Sequence, residues 1–153
     1  MVINHYIIDG NNLIGKIKSL QEIQRKDKQS SRVGLVNILN RFFAGKKLRL
    51  TLHLDGYPNL PLHLSKGRIT YSEHQAADIK IREEIERSKN PKLIILVSSD
   101  QSLMNCARVN SATVIKSEEF YKEIVKSQEK NEEADRIREL EKENKTFMDL
   151  FGN

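Results

Sequence analysis

The chain has 153 residues and a formal net charge of +5, enough for one domain with a true core plus an appended segment and too short for a second catalytic domain. No apolar run approaches the roughly 18–20 residues of a spanning helix, and Met1 leads into Tyr6-Ile7-Ile8 without a basic leader, so a soluble cytoplasmic protein with no membrane partner is expected. Cys106 is the only cysteine, which excludes an internal disulfide and reads as a buried core thiol.

In chain order, the first apolar run of strand length covers residues 2–8 and ends at Asp9-Gly10. Val33, Val36, Leu39 and Phe43 then recur at helical spacing after the capping candidates Ser30 and Ser31, with Gly45 placed to close the helix. Residues 48–54 alternate Leu with Arg49, Thr51 and His53, which predicts a strand covered on one face only and lying away from the sheet centre. After Asp55-Gly56 comes a loop through Tyr57-Pro58-Asn59-Leu60-Pro61, then a short strand at Arg68-Ile69-Thr70-Tyr71. Ser72-Glu73-His74-Gln75 has capping-box spacing ahead of the Ala77/Ile81/Ile85 stripe. Leu93-Ile94-Ile95-Leu96-Val97 is apolar on both faces, as an interior strand must be, and Asp100 follows it. Leu103, Cys106 and Ala107 line another helix, residues 112–115 another strand, and Phe120 and Ile124 a last helix after Ser117. Strands alternating with helices predict an α/β fold, a mainly parallel sheet flanked by helices.

From Lys126 the character changes. Six basic and seven acidic side chains alternate up to Lys145, which predicts an exposed, charged C-terminal helix over residues 126–153, beyond a domain at 1–125. Its hydrophobic tail, Phe147-Met148-Asp149-Leu150-Phe151, needs a groove on this domain or on a protein partner. Met148-Asp149-Leu150-Phe151 also resembles part of a bacterial sliding-clamp peptide, with Phe147 where the leading Gln would stand.

Charge is unevenly spread. Residues 16–68 hold twelve Lys or Arg against only Glu22, Asp27 and Asp55. Such a surface attracts polyanions with salt-dependent affinity, and nucleic acid is the expected partner. Arg41, Lys46, Lys47 and Arg68 are candidate RNA-binding residues, chosen by density. The absence of Trp favours backbone recognition over a stacking platform. Tyr57 and Tyr71 could stack on bases, but packing is the commoner role for tyrosines at strand ends, and His53 reads as a half-buried structural histidine.

Four aspartates sit where ligands bind in a parallel sheet, at or beyond the carboxyl ends of strands. Asp9, Asp55 and Asp100 each end or follow a strand, and Asp78 falls in the first turn of the next helix. Taken singly, each has an ordinary role in a turn, a helix cap or a helix first turn. Gathered together they repel, by roughly 4 kcal/mol per pair about 4 Å apart at an effective dielectric near 20. A hard divalent cation offsets that repulsion, and an all-oxygen set with no HxxxH or CxxC pattern suits Mg²⁺ or Mn²⁺ rather than Zn²⁺.

The segment Tyr6-Ile7-Ile8-Asp9-Gly10-Asn11-Asn12-Leu13-Ile14 resembles the opening of NYN domains of the PIN-like nuclease superfamily, in particular the YacP-like branch. The resemblance continues in order through Leu52-His53-Leu54-Asp55-Gly56, through Ile69-Thr70-Tyr71-Ser72 to Ala77-Asp78, and through Val97-Ser98-Ser99-Asp100. It covers roughly residues 2–125. It implies a PIN-like three-layer fold and metal-dependent RNA cleavage, in some members of RNA engaged by the ribosome. It also implies that Asp9, Asp55, Asp78 and Asp100 form the catalytic centre, with Asp9, Asp78 and Asp100 as metal ligands. Asn11 or Asn12 would position backbone or phosphate near Asp9, and Ser99 would hold a metal water or Asp100. Ile79 stands where the family often has a second acid, which leaves one metal or two open. Two rivals remain: a non-catalytic RNA- or ribonucleoprotein-binding module of the same fold, and a DNA-directed flap-type nuclease.

Overall fold

The computed structural model describes residues 2–151. Its elements in order are β1 (His5–Asp9), α1 (Gly10–Ile14), α2 (Lys18–Lys26), α3 (Lys28–Phe42), β2 (Arg49–Leu54), β3 (Gly67–Tyr71), α4 (Ala77–Arg87), a 3₁₀ turn (Pro91–Leu93), β4 (Ile94–Val97), α5 (Gln101–Val109), β5 (Thr113–Ile115) and α6 (Ser117–Phe151). All four strand pairings are parallel, in the order β3-β2-β1-β4-β5. The chain winds outward from β1 through β2 to β3, then returns to place β4 on the other side of β1. The order therefore reverses between β1 and β4, and the crevice at their carboxyl ends is the switch point where such sheets bind ligands.

Side-chain alternation assigns the two faces. Tyr6 meets Phe43 and Phe120 at ring centroid distances of 4.9 and 6.3 Å, and Phe42 meets Phe120 at 5.3 Å, an aromatic layer beneath α3 and the start of α6. Ile7, one position on, belongs to the opposite layer with Ile81 and Ile85 of α4, Leu96 of β4 and Leu103, Cys106 and Ala107 of α5. Cys106 is buried there, as its setting in an apolar stripe implies.

Four local expectations are corrected. Asp27 caps α3, accepting from Gln29 N at 3.1 Å and Ser30 Oγ at 2.6 Å, so the helix starts ahead of Ser30 and Ser31; Ser31 bonds back to Lys28 O instead. Its buried stripe is Arg32, Leu35, Val36 and Leu39, with Val33 facing out. β2 is not one-sided: Thr51 and His53 are as buried as the leucines, because Glu84 of α4 supplies the polar partner that their face requires. The capping-box spacing before α4 is not used, since Ser72 Oγ accepts from Gly56 N at 2.9 Å and α4 has no side-chain cap at Ala76. Gly45, at φ +76, follows the end of α3 as a helix-closing glycine does.

The chain divides into two packed units, residues 1–121 and 122–153, with the boundary inside α6. In the second, Arg138 pairs with Asp135 at 3.0 Å, Phe147 and Phe151 are 4.9 Å apart, and Ile137, Leu140, Phe147, Met148, Leu150 and Phe151 are all exposed. Among the described residues, no helix is long and apolar enough to cross a membrane.

Candidate active site

Three loops meet at the carboxyl edge of the sheet. β1 ends at Asp9 and turns at once into α1, and this sharp turn requires Gly10: a Cβ there would lie 2.6 Å from His53 O and 2.7 Å from Leu54 Cδ2. The two asparagines that follow tie the neighbouring loops to this turn. Asn11 Oδ1 accepts from Asp55 N at 2.8 Å, at the end of β2. Asn12 Oδ1 accepts from Ser99 N at 3.0 Å and Ser117 Oγ at 2.7 Å, beyond β4 and at the start of α6. Both asparagines thus position backbone, one on each side of Asp9.

Asp9 is 9 % exposed. Ser98 Oγ, fully buried, donates to Asp9 Oδ2 at 2.9 Å and accepts from Asp100 N at 3.0 Å, so one hydroxyl couples the two acidic loops. Burial pushes the Asp9 carboxyl up to about 6, and the negative charges of Asp55 and Asp100 push the same way against the hydrogen bonds from Ser98 and the Asn12 backbone. Asp9, Asp55 and Asp100 therefore share one electrostatic environment. Asp100 Oδ1 also caps α5 through Leu103 N at 2.9 Å, and Asp55 Oδ1 accepts from Ala77 N at 3.3 Å, the first residue of α4. Asp78, half-buried, comes next in that helix, so Asp55 holds the turn that carries Asp78.

The Ser99 hydroxyl bonds toward α6 and not to Asp100. It donates to Glu118 Oε2 at 2.6 Å and accepts from Ser117 N at 3.0 Å, which binds the β4 loop to the start of α6; Ser98, the other serine of the pair, serves Asp9 and Asp100. Glu118 also lies 4.0 Å from Lys16 Nζ, and neither Ser98 nor Glu118 stands out in the sequence. Nor does Arg32. It is 4 % exposed, donates to Asp55 O at 2.5 Å and Tyr57 O at 2.9 Å, and lies 5.2 Å from the Tyr71 ring centroid. This guanidinium holds the loop after Asp55 and occupies one face of Tyr71, whereas Tyr57 is exposed. His53 is fully buried against Glu84, 3.1 Å away, rather than half-buried.

The basic residues selected by density are not at this edge. Arg41, Lys46 and Lys47 are exposed at the end of α3 and in the loop entering β2, at the amino edge of the sheet. The six residues of β2 separate them from Asp55, about 20 Å at the usual rise. Lys46 Nζ sits 4.0 Å from the Phe42 ring centroid, and Arg68 is ion-paired to Glu84 at 2.7 Å. The cations beside the acids are Lys28 and Arg32, near Gly56, with Lys16 at Glu118.

The acids offer only oxygen donors, the donor chemistry that suits a hard cation, and burial first, then the neighbouring carboxylates, raises the Asp9 carboxyl. Among the described residues no three His, Cys, Asp or Glu side chains are grouped to hold a metal ion. Asp9, Asp55 and Asp100 each give a carboxylate oxygen to a protein donor instead.

A parallel sheet in this order, flanked by helices and carrying acids at its switch point, defines a doubly wound α/β domain. The chain belongs to the YacP-like NYN domain family, whose sequence model matches residues 6–150. Among solved structures it is similar to Rae1 (YacP) from Bacillus subtilis, at 15 % identity and a TM-score of 0.75 over 98 % of this chain and 88 % of that one. A mutant of the same protein aligns at 19 % identity and a TM-score of 0.73, over 92 % and 86 %. No curated protein matches the sequence.

Proposed function

We propose that the acidic edge is the active site of a divalent-metal-dependent ribonuclease, acting as an endonuclease on RNA, ribosome-associated RNA included. The observation that carries this reading is the coupling of Asp9, Asp55 and Asp100 at the switch point of a YacP-like NYN domain. A folded chain gains nothing in stability by burying a carboxylate beside two others, and a bound cation would offset that cost. Asp9, Asp78 and Asp100 would hold Mg²⁺ or Mn²⁺, with Asp55 orienting the Asp78 turn. When bound, such an ion supplies Lewis acidity toward a phosphodiester. The chain's own groups do the rest. Ser98 fixes Asp9 and the Asp100 amide in one register, Asn11 and Asn12 hold the three loops together, and Lys28 and Lys16 attract the flanking strand.

The second reading, an RNA-binding module that does not cut, is favoured by two observations: among the described residues the acids are not grouped for ligation, and Arg41, Lys46 and Lys47 lie at the opposite edge. Incubating the protein with single-stranded RNA, structured RNA and matching DNA, in Mg²⁺, Mn²⁺ or chelator, separates the readings. The ribonuclease account expects metal-dependent RNA cleavage lost in Asp9→Asn. RNA binding without cleavage in either metal refutes it in favour of the module, and cleavage of DNA alone favours the flap-type nuclease.

A further inference from the structure

On the α4 side of the sheet lies a polar cluster that the acidic edge does not use. His5 Nε2 is 2.8 Å from Thr51 Oγ1, which donates to Glu84 Oε2 at 3.2 Å. His53 Nε2 is 3.1 Å from Glu84 Oε1, and Arg68 donates to Glu84 Oε2 at 2.7 Å. His5 and His53 are side chains of the buried strands β1 and β2, and Glu84 reaches them from α4. Beside these groups opens a cleft of about 580 Å³, within the size range of small-ligand sites.

The walls of this cleft are positive. Arg49, Arg68, Lys80, Arg87 and Lys89 line it against Glu83 and Glu84, five cations to two carboxylates and a formal excess of three. Arg68 is neutralised by Glu84, and Arg87 faces Glu83 at 3.9 Å, which leaves Arg49, Lys80 and Lys89 as the excess. The positive field reaches His5: after burial, Arg49 and Arg68 both act to hold its ring neutral against the pull of Glu84. Cations gathered around a concave wall raise the local concentration of anions. Ile3 and Leu93 add an apolar edge, and Ser88 and Asn90 add neutral polar groups.

We propose that this cleft is a second, non-catalytic site that takes a nucleotide phosphate, with the ester on Arg49 and Lys89 and the nucleoside against Ile3 and Leu93. An apolar edge next to the cations distinguishes this from a site for a bare inorganic ion. The cleft lies at the His5 end of β1, and Asp9 is four residues further along, about 13 Å away at the usual rise, so one phosphate cannot serve both places. The same ester chemistry is presented by a free mononucleotide and by an RNA strand. The assignment stands whether or not the acidic edge cuts RNA.

The test is an NMR titration of the full chain, without divalent metal, using inorganic phosphate, AMP and a short single-stranded RNA, read at the His5 and His53 rings and the Arg49 amide. AMP is expected to shift these signals saturably and to bind more tightly than phosphate. The double variant Arg49→Glu/Lys89→Glu, both exposed positions, should lose at least about tenfold in affinity while Asp9→Asn binds as wild type. RNA competing with AMP identifies a strand as the source, and AMP binding that RNA leaves untouched identifies the free nucleotide. Phosphate binding as tightly as AMP, no saturable shift, or full binding by the charge-reversed variant overturns the proposal.

Discussion

Replacing Asp9 by asparagine should stabilise the protein at neutral pH. The Asp9 carboxyl is raised from 3.8 to about 6 in the folded state, so between those values the folded chain binds more protons than the unfolded one. Stability from this group therefore falls as pH rises through that window, and above it the ionised carboxylate carries the full cost. At 1.36 kcal/mol per pH unit the cost is on the order of 3 kcal/mol. The substituted amide would carry no charge to desolvate, and its oxygen can still accept from Ser98 Oγ. For a chain of this size the gain corresponds to a melting-temperature rise of up to roughly 10 °C. Thermal melts of both proteins at matched ionic strength, in chelator, from pH 3.5 to 8 provide the assay. The gain should grow from near zero at the acid end to a plateau above pH 7. A variant that melts lower than wild type at pH 7.5, or a difference that does not change with pH, would refute the assignment of Asp9 as a carboxylate kept against its own stability.

Ser98→Ala removes a donor from Asp9 and leaves Asp100 N without its acceptor. It should raise the Asp9 titration midpoint, read by carboxyl ¹³C NMR, and cost about 1–3 kcal/mol in denaturant melts; an unchanged midpoint contradicts the role given to this hydroxyl. Glu84→Gln should destabilise the fold by a similar roughly 1–3 kcal/mol at pH 7, because it weakens the contacts to His53, Thr51 and Arg68. Burial acts to raise the Glu84 carboxyl, but together those contacts outweigh it and hold the group below its ordinary range, so the difference from wild type should shrink as pH falls below that range; a constant difference speaks against the ion-paired cluster. Gly10→Ala should lower both melting temperature and RNA cleavage, since its methyl meets the β2 backbone at His53 O, and a wild-type melt would show that the α1 turn is looser than described.

The parts of this fold that can be read from the sequence are those where one chain segment carries the whole signal. β1 and β4 are apolar runs that lead directly to Asp9 and, through two serines, to Asp100, so both strands and both acids are visible there. β2 misleads because Thr51 and His53 alternate with leucines, and the partner that makes their burial tolerable, Glu84, lies 31 residues beyond His53. Ser98 and Ser99 are chemically identical neighbours, and only the phase of the strand decides which faces Asp9. The basic residues show the limit of density as a guide: Arg41, Lys46 and Lys47 precede β2, which in a parallel sheet places them at the amino edge, opposite the acids. Arg32 is hidden for a different reason, because its role is to hold carbonyl oxygens of a loop more than twenty residues away.

Calorimetric titration of Mn²⁺ into the wild-type chain and into Asp9→Asn at pH 6 measures whether the acidic edge is a cation site. Wild type should bind with net proton release, because Asp9 is partly protonated at that pH and a cation favours its ionised form. The variant should bind more weakly by at least about tenfold and release fewer protons. Equal affinity in the two proteins, or wild-type binding with no proton release, would contradict a metal centre built on Asp9.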